Sequence, residues 1–152
     1  MRRREDRTGT RLFGYGTFRR TAWRDAILGA EYPAQPATLR GYRRIACASG
    51  YLSLRPTLFD VGLIHGVLIE LDEAGWRVAD AWEEVPKYVA TPVTVNSMNG
   101  PVDALTYLCA NDDGATPVDD DRFALLTDAE VENSIEFFGK QMRHIRRSFE
   151  SS

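Results

Sequence analysis

Residues 88–110 read YVATPVTVNSMNGPVDALTYLCA. Val93 and Val95 alternate with threonines, Asn99-Gly100 supplies a turn, and VDALTYLCA returns as a second apolar run. Alternation at period two around an Asn-Gly pair is the strongest short-range signal for a β-hairpin. An antiparallel hairpin is therefore the fixed point around which the other segments must be placed.

Upstream, Leu12-Phe13 reads as a short strand that runs into the glycine-flanked Tyr15 of Gly14-Tyr15-Gly16. Within residues 19–30, Trp23, Ala26, Ile27 and Ala30 recur at helical spacing, and Gly29 closes the helix. Tyr32-Pro33 and Pro36 are read as a break, after which TLRGYRRIACASGYLSL suggests a strand pair with a turn near Gly50-Tyr51. The branched apolar run LIHGVLIEL, residues 63–71, reads as a buried strand. Asp72 is a preferred N-cap for a helix from Glu73 to Glu84, stopped by Pro86. Near the end, Thr127-Asp128-Ala129-Glu130 forms a capping box before a helix with Val131, Ile135, Phe138 and Met142 on one face. Strands outnumber helices without a regular βαβ alternation, so the expected class is α+β.

With 152 residues and 43% hydrophobic content, one core and one domain are expected over residues 11–152. Residues 1–10, with Arg2, Arg3, Arg4 and Arg7, read as a flexible basic arm; Glu5 and Asp6 argue against an organelle address. A formal charge of −3 gives no overall pull toward nucleic acid or an anionic membrane, and no apolar run reads as a secretory or membrane segment. Cys47 and Cys109 cannot build a disulfide framework, which fits a reduced, cytoplasmic setting. His65 and His144 stand far apart, so no metal site is expected. The acidic stretch with Asp112, Asp113 and Asp119 to Asp121 lacks EF-hand spacing and reads as a solvated loop. The terminal helix, with Phe137, Phe138 and Met142, is expected to dock on its own domain; oligomeric state is left open.

Two features bear on chemistry. At about 100° per residue, Trp76, Val78, Ala79 and Trp82 form an apolar arc on the helix before Pro86, and Glu83 falls inside it; Arg77, Asp80 and Glu84 fall on the polar side. A carboxylate turned toward an apolar interior has its pKa raised toward neutrality, as a general base requires. Periodicity is equally compatible with a structural ion pair, the commoner case. Tyr15 is similarly ambiguous: Gly-Tyr-Gly at a strand end is either a tight turn or a loop whose N–H groups form an anion nest.

The combination of LFGYGTF, Leu12 to Phe18, with DAWEEVPKYVATPVTV, Asp80 to Val95, resembles the γ-glutamylcyclotransferase-like family, which includes the AIG2-like proteins. The family's YGTL or YGSL loop, its D-x-x-E-G pattern and its Y-x-R-x-x-V-x-V strand are matched by Tyr15, Gly16, Thr17, Asp80, Glu83, Tyr88, Val93 and Val95. Gly41-Tyr42 and HGVLIEL add smaller agreements, so the resemblance spans about Leu12 to Leu108.

That resemblance implies a small mixed, barrel-like sheet with flanking helices. It also implies cyclisation of a small-molecule γ-glutamyl substrate to 5-oxoproline and a free amine, with Glu83 as general acid/base and no cofactor. Tyr15, Gly16, Thr17, Phe18 and Tyr88 would bind the substrate. Three departures, Phe18 for leucine, Glu84 for glycine and Ala90 for arginine, bear on which amine leaves. A non-catalytic binding relative and a same-fold enzyme that hydrolyses another acyl compound are the alternatives.

Overall fold

The computed structural model describes residues 9–47, 52–58, 61–83 and 87–118, and nine residues within 133–147 (133, 136, 139, 140, 142–145 and 147). The strands are β1 (Arg11–Gly14), β2 (Ala34–Arg40), β3 (Tyr42–Ala46), β4 (Leu52–Pro56), β5 (Leu63–Glu70), β6 (Tyr88–Ser97), β7 (Gly100–Cys109) and β8 (Thr116–Pro117). Helix α1 spans Thr21–Leu28 and α2 spans Glu73–Trp82. Five strands close a barrel in the order β1-β5-β2-β6-β7, and β4-β3-β8 form a separate small sheet. This is the expected α+β barrel with flanking helices.

Closure follows from alternation. Leu12 lies opposite Ile69 and Leu105, whereas Phe13 lies opposite Leu68. Phe13, Ala37, Leu39, Ile64, Leu68, Val93, Val95 and Ala104 are drawn from all five barrel strands and pack together as its interior. Leu12, Ile69 and Leu105 face outward and pack with Trp23 and Ile27 of α1 and Trp76 and Ala79 of α2. Strand β5 is consequently not buried along its whole length: Leu63 is 46% exposed and His65 is exposed. At Gly66, a Cβ would press into the Gly14 carbonyl oxygen and lie 2.7 Å from Phe13 Cζ, so β1 and β5 approach too closely for a side chain there.

Pro36 does not break the chain. It lies inside β2, opposite Val67. The Glu70 N–H donates to the Pro33 carbonyl, which sets an alternation that leaves Pro36 at a non-hydrogen-bonded position of the β2–β5 ladder. The β6–β7 hairpin is as expected, with Ser97 opposite Gly100, so its two loop residues are Met98-Asn99, one position earlier than read; Gly100 takes φ 100°. The two-residue strand β8, beside β3, carried no legible sequence signal.

Gly29 ends α1 with φ 74°, and its N–H donates to the Asp25 carbonyl. The Asp72 carboxylate caps α2 by accepting from Gly75 N–H at 2.7 Å. Gly139 and Met142 of the terminal helical segment are buried, Met142 in the core beside α1 and α2. That helix therefore docks on its own domain at Met142; the capping box, Phe137 and Phe138 lie outside the described residues, as do residues 1–8, Gly50-Tyr51 and Asp119 to Asp121. No helix among the described residues is long and apolar enough to cross a membrane.

Candidate functional site

The end of β1, the end of α2, the start of β6 and the end of β7 meet on one side of the barrel. Tyr88 lies opposite Cys109 across the hairpin, and Tyr15 follows directly on β1. Helix α2 ends at Trp82, so Glu83 is its C-cap rather than a residue of the last turn, with its N–H donating to Ala79 O. Glu84, the next residue, lies outside the described chain.

The Glu83 carboxyl is pushed up from the usual carboxylate range to about 8, first by burial and then by the negative charge of Asp80. Its position at the C-terminal end of a helix, where exposed carbonyls concentrate negative charge, acts in the same direction. The residue as a whole is half-buried.

Asp80 corrects the helix-wheel reading. It is not on a solvated face: it is 6% exposed, and its Oδ1 accepts from the Tyr107 hydroxyl at 2.6 Å. Helix α2 is covered on that side by β7, which the wheel could not foresee. The Tyr107 carbonyl in turn accepts from the Tyr15 hydroxyl at 2.5 Å. Tyr15, Tyr107 and Asp80 are thus joined by two buried hydrogen bonds, and Asp80 lies one helical turn before Glu83. The Tyr15 phenol is raised well above its ordinary value by burial, with Glu83 and Tyr88 adding to it. Tyr88 is raised by burial and then by Cys47, Cys109 and Glu83; its hydroxyl donates to Leu52 O at 2.9 Å. Cys47 is pushed up to about 12, by burial and then by Cys109. Both cysteines are free thiols, and Cys109 N–H donates to Ser53 Oγ at 3.0 Å.

The Gly14–Phe18 loop is fixed from two sides. The Arg44 guanidinium on β3 donates to Tyr15 O at 2.9 Å, and in a trans peptide the Gly16 N–H then points away from Arg44. Arg24 on α1 donates to Phe18 O at 2.9 Å, and Arg19 N–H to Gly16 O at 3.0 Å, closing a single 3-10 turn over Thr17–Arg19. A Cβ built on Gly16 meets nothing within 4 Å, so the loop faces open space there. At Gly14 a Cβ would meet the Phe18 Cβ at 2.8 Å. Phe18 itself is 4% exposed and packs in the core between barrel and helices, so its ring is turned away from open space.

Of the residues singled out in the sequence, the structure brings Glu83, Tyr15 and Tyr88 into electrostatic contact and places Gly16 at the open edge of the same loop. Asp80, Tyr107 and Arg44 were missed as site residues. For Asp80 the signal was available in its i, i+3 spacing to Glu83. Tyr107 shares the outward alternation of Leu105. Arg44 carries no such signal, because its role depends on the packing of the second sheet. Among the described residues, no group of three or more His, Cys, Asp or Glu side chains could hold a metal ion.

Comparison with solved structures gives an Arabidopsis thaliana protein determined in solution, 23% identical, with TM-score 0.63 over 94% of this chain and 87% of that one. A structure named gamma-glutamyl cyclotransferase is 18% identical, with TM-score 0.59 over 71% of this chain and 70% of that one. A Homo sapiens protein is 16% identical, with TM-score 0.60 over 84% of this chain and 86% of that one. These likenesses establish the fold. Comparison with curated proteins gives no significant match by sequence. The sequence model of the family described as gamma-glutamyl cyclotransferase, AIG2-like, matches residues 12–125, past the Leu108 limit of the motif resemblance. The chain belongs to the gamma-glutamyl cyclotransferase, AIG2-like family.

Proposed function

We propose that the protein is a γ-glutamyl cyclotransferase in which Glu83 moves the protons of an intramolecular amide cleavage. The observation that carries this reading is the Glu83 carboxyl, buried beside Asp80 and raised to about 8. A free α-amino group has a pKa of roughly 7.7–8.0, so proton transfer from a substrate α-ammonium to Glu83 is nearly balanced in energy.

The α-ammonium gives one proton to Glu83, and the neutral nitrogen attacks the γ-carbonyl carbon of the same substrate. A C–N bond forms, the γ-carbonyl oxygen takes up negative charge and the attacking nitrogen becomes positive. Collapse breaks the bond to the leaving nitrogen, which receives the proton held on Glu83; the ring nitrogen then gives its second proton to the vacated carboxylate, which passes it to the freed amine. The products are 5-oxoproline and a free amine. Nucleophile and electrophile belong to one molecule, so the protein supplies positioning and proton transfer rather than a nucleophile of its own. The Gly16 N–H, turned away from Arg44 toward the open edge of the loop, is suited to bind the substrate carboxylate or the developing oxyanion. Tyr15 and Phe18 act in this scheme through the backbone they anchor, because one hydroxyl is engaged with Tyr107 O and the other ring is buried. Thr17 completes the loop, and Tyr88, near enough for the Glu83 charge to act on its phenol, is held by its hydroxyl on Leu52 O.

Incubation with a panel of γ-glutamyl amines, followed by mass spectrometry for 5-oxoproline, tests the reading, with Glu83→Gln as the paired control. Release that disappears in the variant is the expected result. Release of glutamate in place of 5-oxoproline identifies a hydrolase, and binding without turnover by the unaltered protein identifies a non-catalytic relative; either outcome overturns the proposal.

A further inference from the structure

Arg24 is a cation in an unfavourable place. It is the fourth residue of α1, toward the end of the helix where unpaired N–H groups already concentrate positive charge, and it is 6% exposed. Its Nη1 donates to Phe18 O at 2.9 Å and its Nη2 to Thr21 Oγ1 at 3.3 Å, while the buried Nε has no hydrogen-bond partner. Both acceptors are neutral, and among the described residues no carboxylate forms an ion pair with this guanidinium. Burial lowers its pKa, and the charge of Asp25, the next residue, acts in the other direction; an arginine stays charged throughout. Buried charges are ordinarily paired, and a methionine would fill similar space without the desolvation cost.

The charge bears on the substrate loop. The Phe18 carbonyl takes the Arg24 donor, so the N–H of the same trans peptide, that of Arg19, points the opposite way and donates to Gly16 O at 3.0 Å. Guanidinium, Phe18–Arg19 peptide and Gly16 carbonyl form one donor-to-acceptor chain, in which each link polarises the next. That chain ends on the residue at the open edge of the loop, where a Cβ would meet nothing within 4 Å. Anchoring a carbonyl needs only a neutral donor, whereas a buried charge without a carboxylate partner attracts an anion arriving from outside. We infer that Arg24 is a positioning residue for an anionic substrate: from behind the loop, its unpaired charge draws the substrate carboxylate to Gly16 while its hydrogen bond holds the loop in shape.

This inference rests on the reading of Gly16 as the carboxylate site, and its test is binding rather than turnover. 5-Oxoproline carries ring and carboxylate, and 2-pyrrolidinone is the same ring without the carboxylate, so the ratio of their dissociation constants, from NMR titrations, isolates the anionic group. Arg24→Gln keeps a neutral donor, and Arg24→Met keeps bulk alone. Both should weaken 5-oxoproline by about fivefold, the scale of one unit charge acting across two hydrogen-bonded peptides in partly solvated surroundings, and leave 2-pyrrolidinone nearly unchanged. Should neither variant fold, Thr21→Glu keeps the test open: Thr21 is exposed and already accepts from Arg24, so a glutamate there supplies the carboxylate partner and suits the first turn of a helix. Its expected result is a slightly higher melting temperature with weaker 5-oxoproline binding, stability and affinity moving apart. Folded variants that weaken both ligands equally, or neither, overturn the inference. So does a preference for 5-oxoproline that survives Arg24→Gln, or one that the unaltered protein lacks. A preference that the variants lose, in a protein that releases no 5-oxoproline from γ-glutamyl amines, upholds the inference and counts against the proposed reaction alone. In an active protein, the same variants should raise KM with little change in kcat.

Discussion

The Arg44 guanidinium donates to the carbonyl oxygen of Tyr15 at 2.9 Å, so a side chain of the small β4-β3-β8 sheet holds the peptide that opens the glycine loop of the barrel. Arg44→Met should free that peptide and let the Gly16 N–H turn. KM for a γ-glutamyl substrate is expected to rise about tenfold, the scale of one charge-assisted hydrogen bond, with a smaller change in kcat. Steady-state kinetics separate the two, and a loss confined to kcat would contradict the positioning role.

Glu83→Gln removes the proton acceptor and keeps the side chain's size. Loss of general acid/base catalysis is expected to lower kcat by roughly 10²–10⁴-fold with little change in substrate affinity. Single-turnover 5-oxoproline formation beside equilibrium binding of the same compound is the check.

Below about pH 8, activity and stability should run in opposite directions with pH. Glu83 accepts a proton only when ionised, so kcat/KM should climb as pH rises toward about 8, and it should fall above that as the substrate loses the α-ammonium proton that Glu83 takes up. Its folded value lies above the ordinary carboxylate value, so the native state binds a proton that the unfolded chain has already released. Stability contributed by this group is full below about pH 4.3 and is lost as pH rises through about 8, by an amount on the order of a few kcal/mol. Urea denaturation of Glu83→Gln and of the unaltered chain should therefore diverge with rising pH, the variant becoming the more stable.

Two glycines separate fold from site. Gly66→Ala forces a methyl against the Gly14 carbonyl and the Phe13 ring, and should destabilise by about 1–3 kcal/mol. Gly16→Ala places its methyl in open space and should leave the melting temperature nearly unchanged while weakening substrate binding. Thermal melts and binding isotherms on the pair test the distinction.

Local chemistry made much of this legible in the sequence. Asp72, Gly29 and the 88–110 hairpin signalled cap, helix end and strand pair because each depends on residues within a few positions of itself. Glu83 was legible through helical period, although it proves to sit just beyond the helix. Asp80 was misplaced because the wheel knows one axis only, and the hydroxyl that claims it arrives from a strand 27 residues later. Pro36 was read as a break because the ladder parity that tolerates it is set by β5, which comes afterward in the chain. Arg44 was unreadable for the same cause: its partners belong to another sheet.

The uneven pairing of β2 has its own outcome. It follows β5 from Ala34 to Arg40, yet meets β6 at Ala37 and Thr38 alone, opposite Ser97 and Asn96. Those residues lie near the far end of β6, some eight positions from Tyr88, or about 26 Å along an extended strand. The β1–β7 seam is equally short, with Arg11 and Leu12 opposite Ala104 and Leu105. Amide exchange should be faster at these two seams than along the ten-pair β6–β7 ladder, so the hairpin that carries Tyr88 and Tyr107 is the stiff stave against which the rest of the barrel closes.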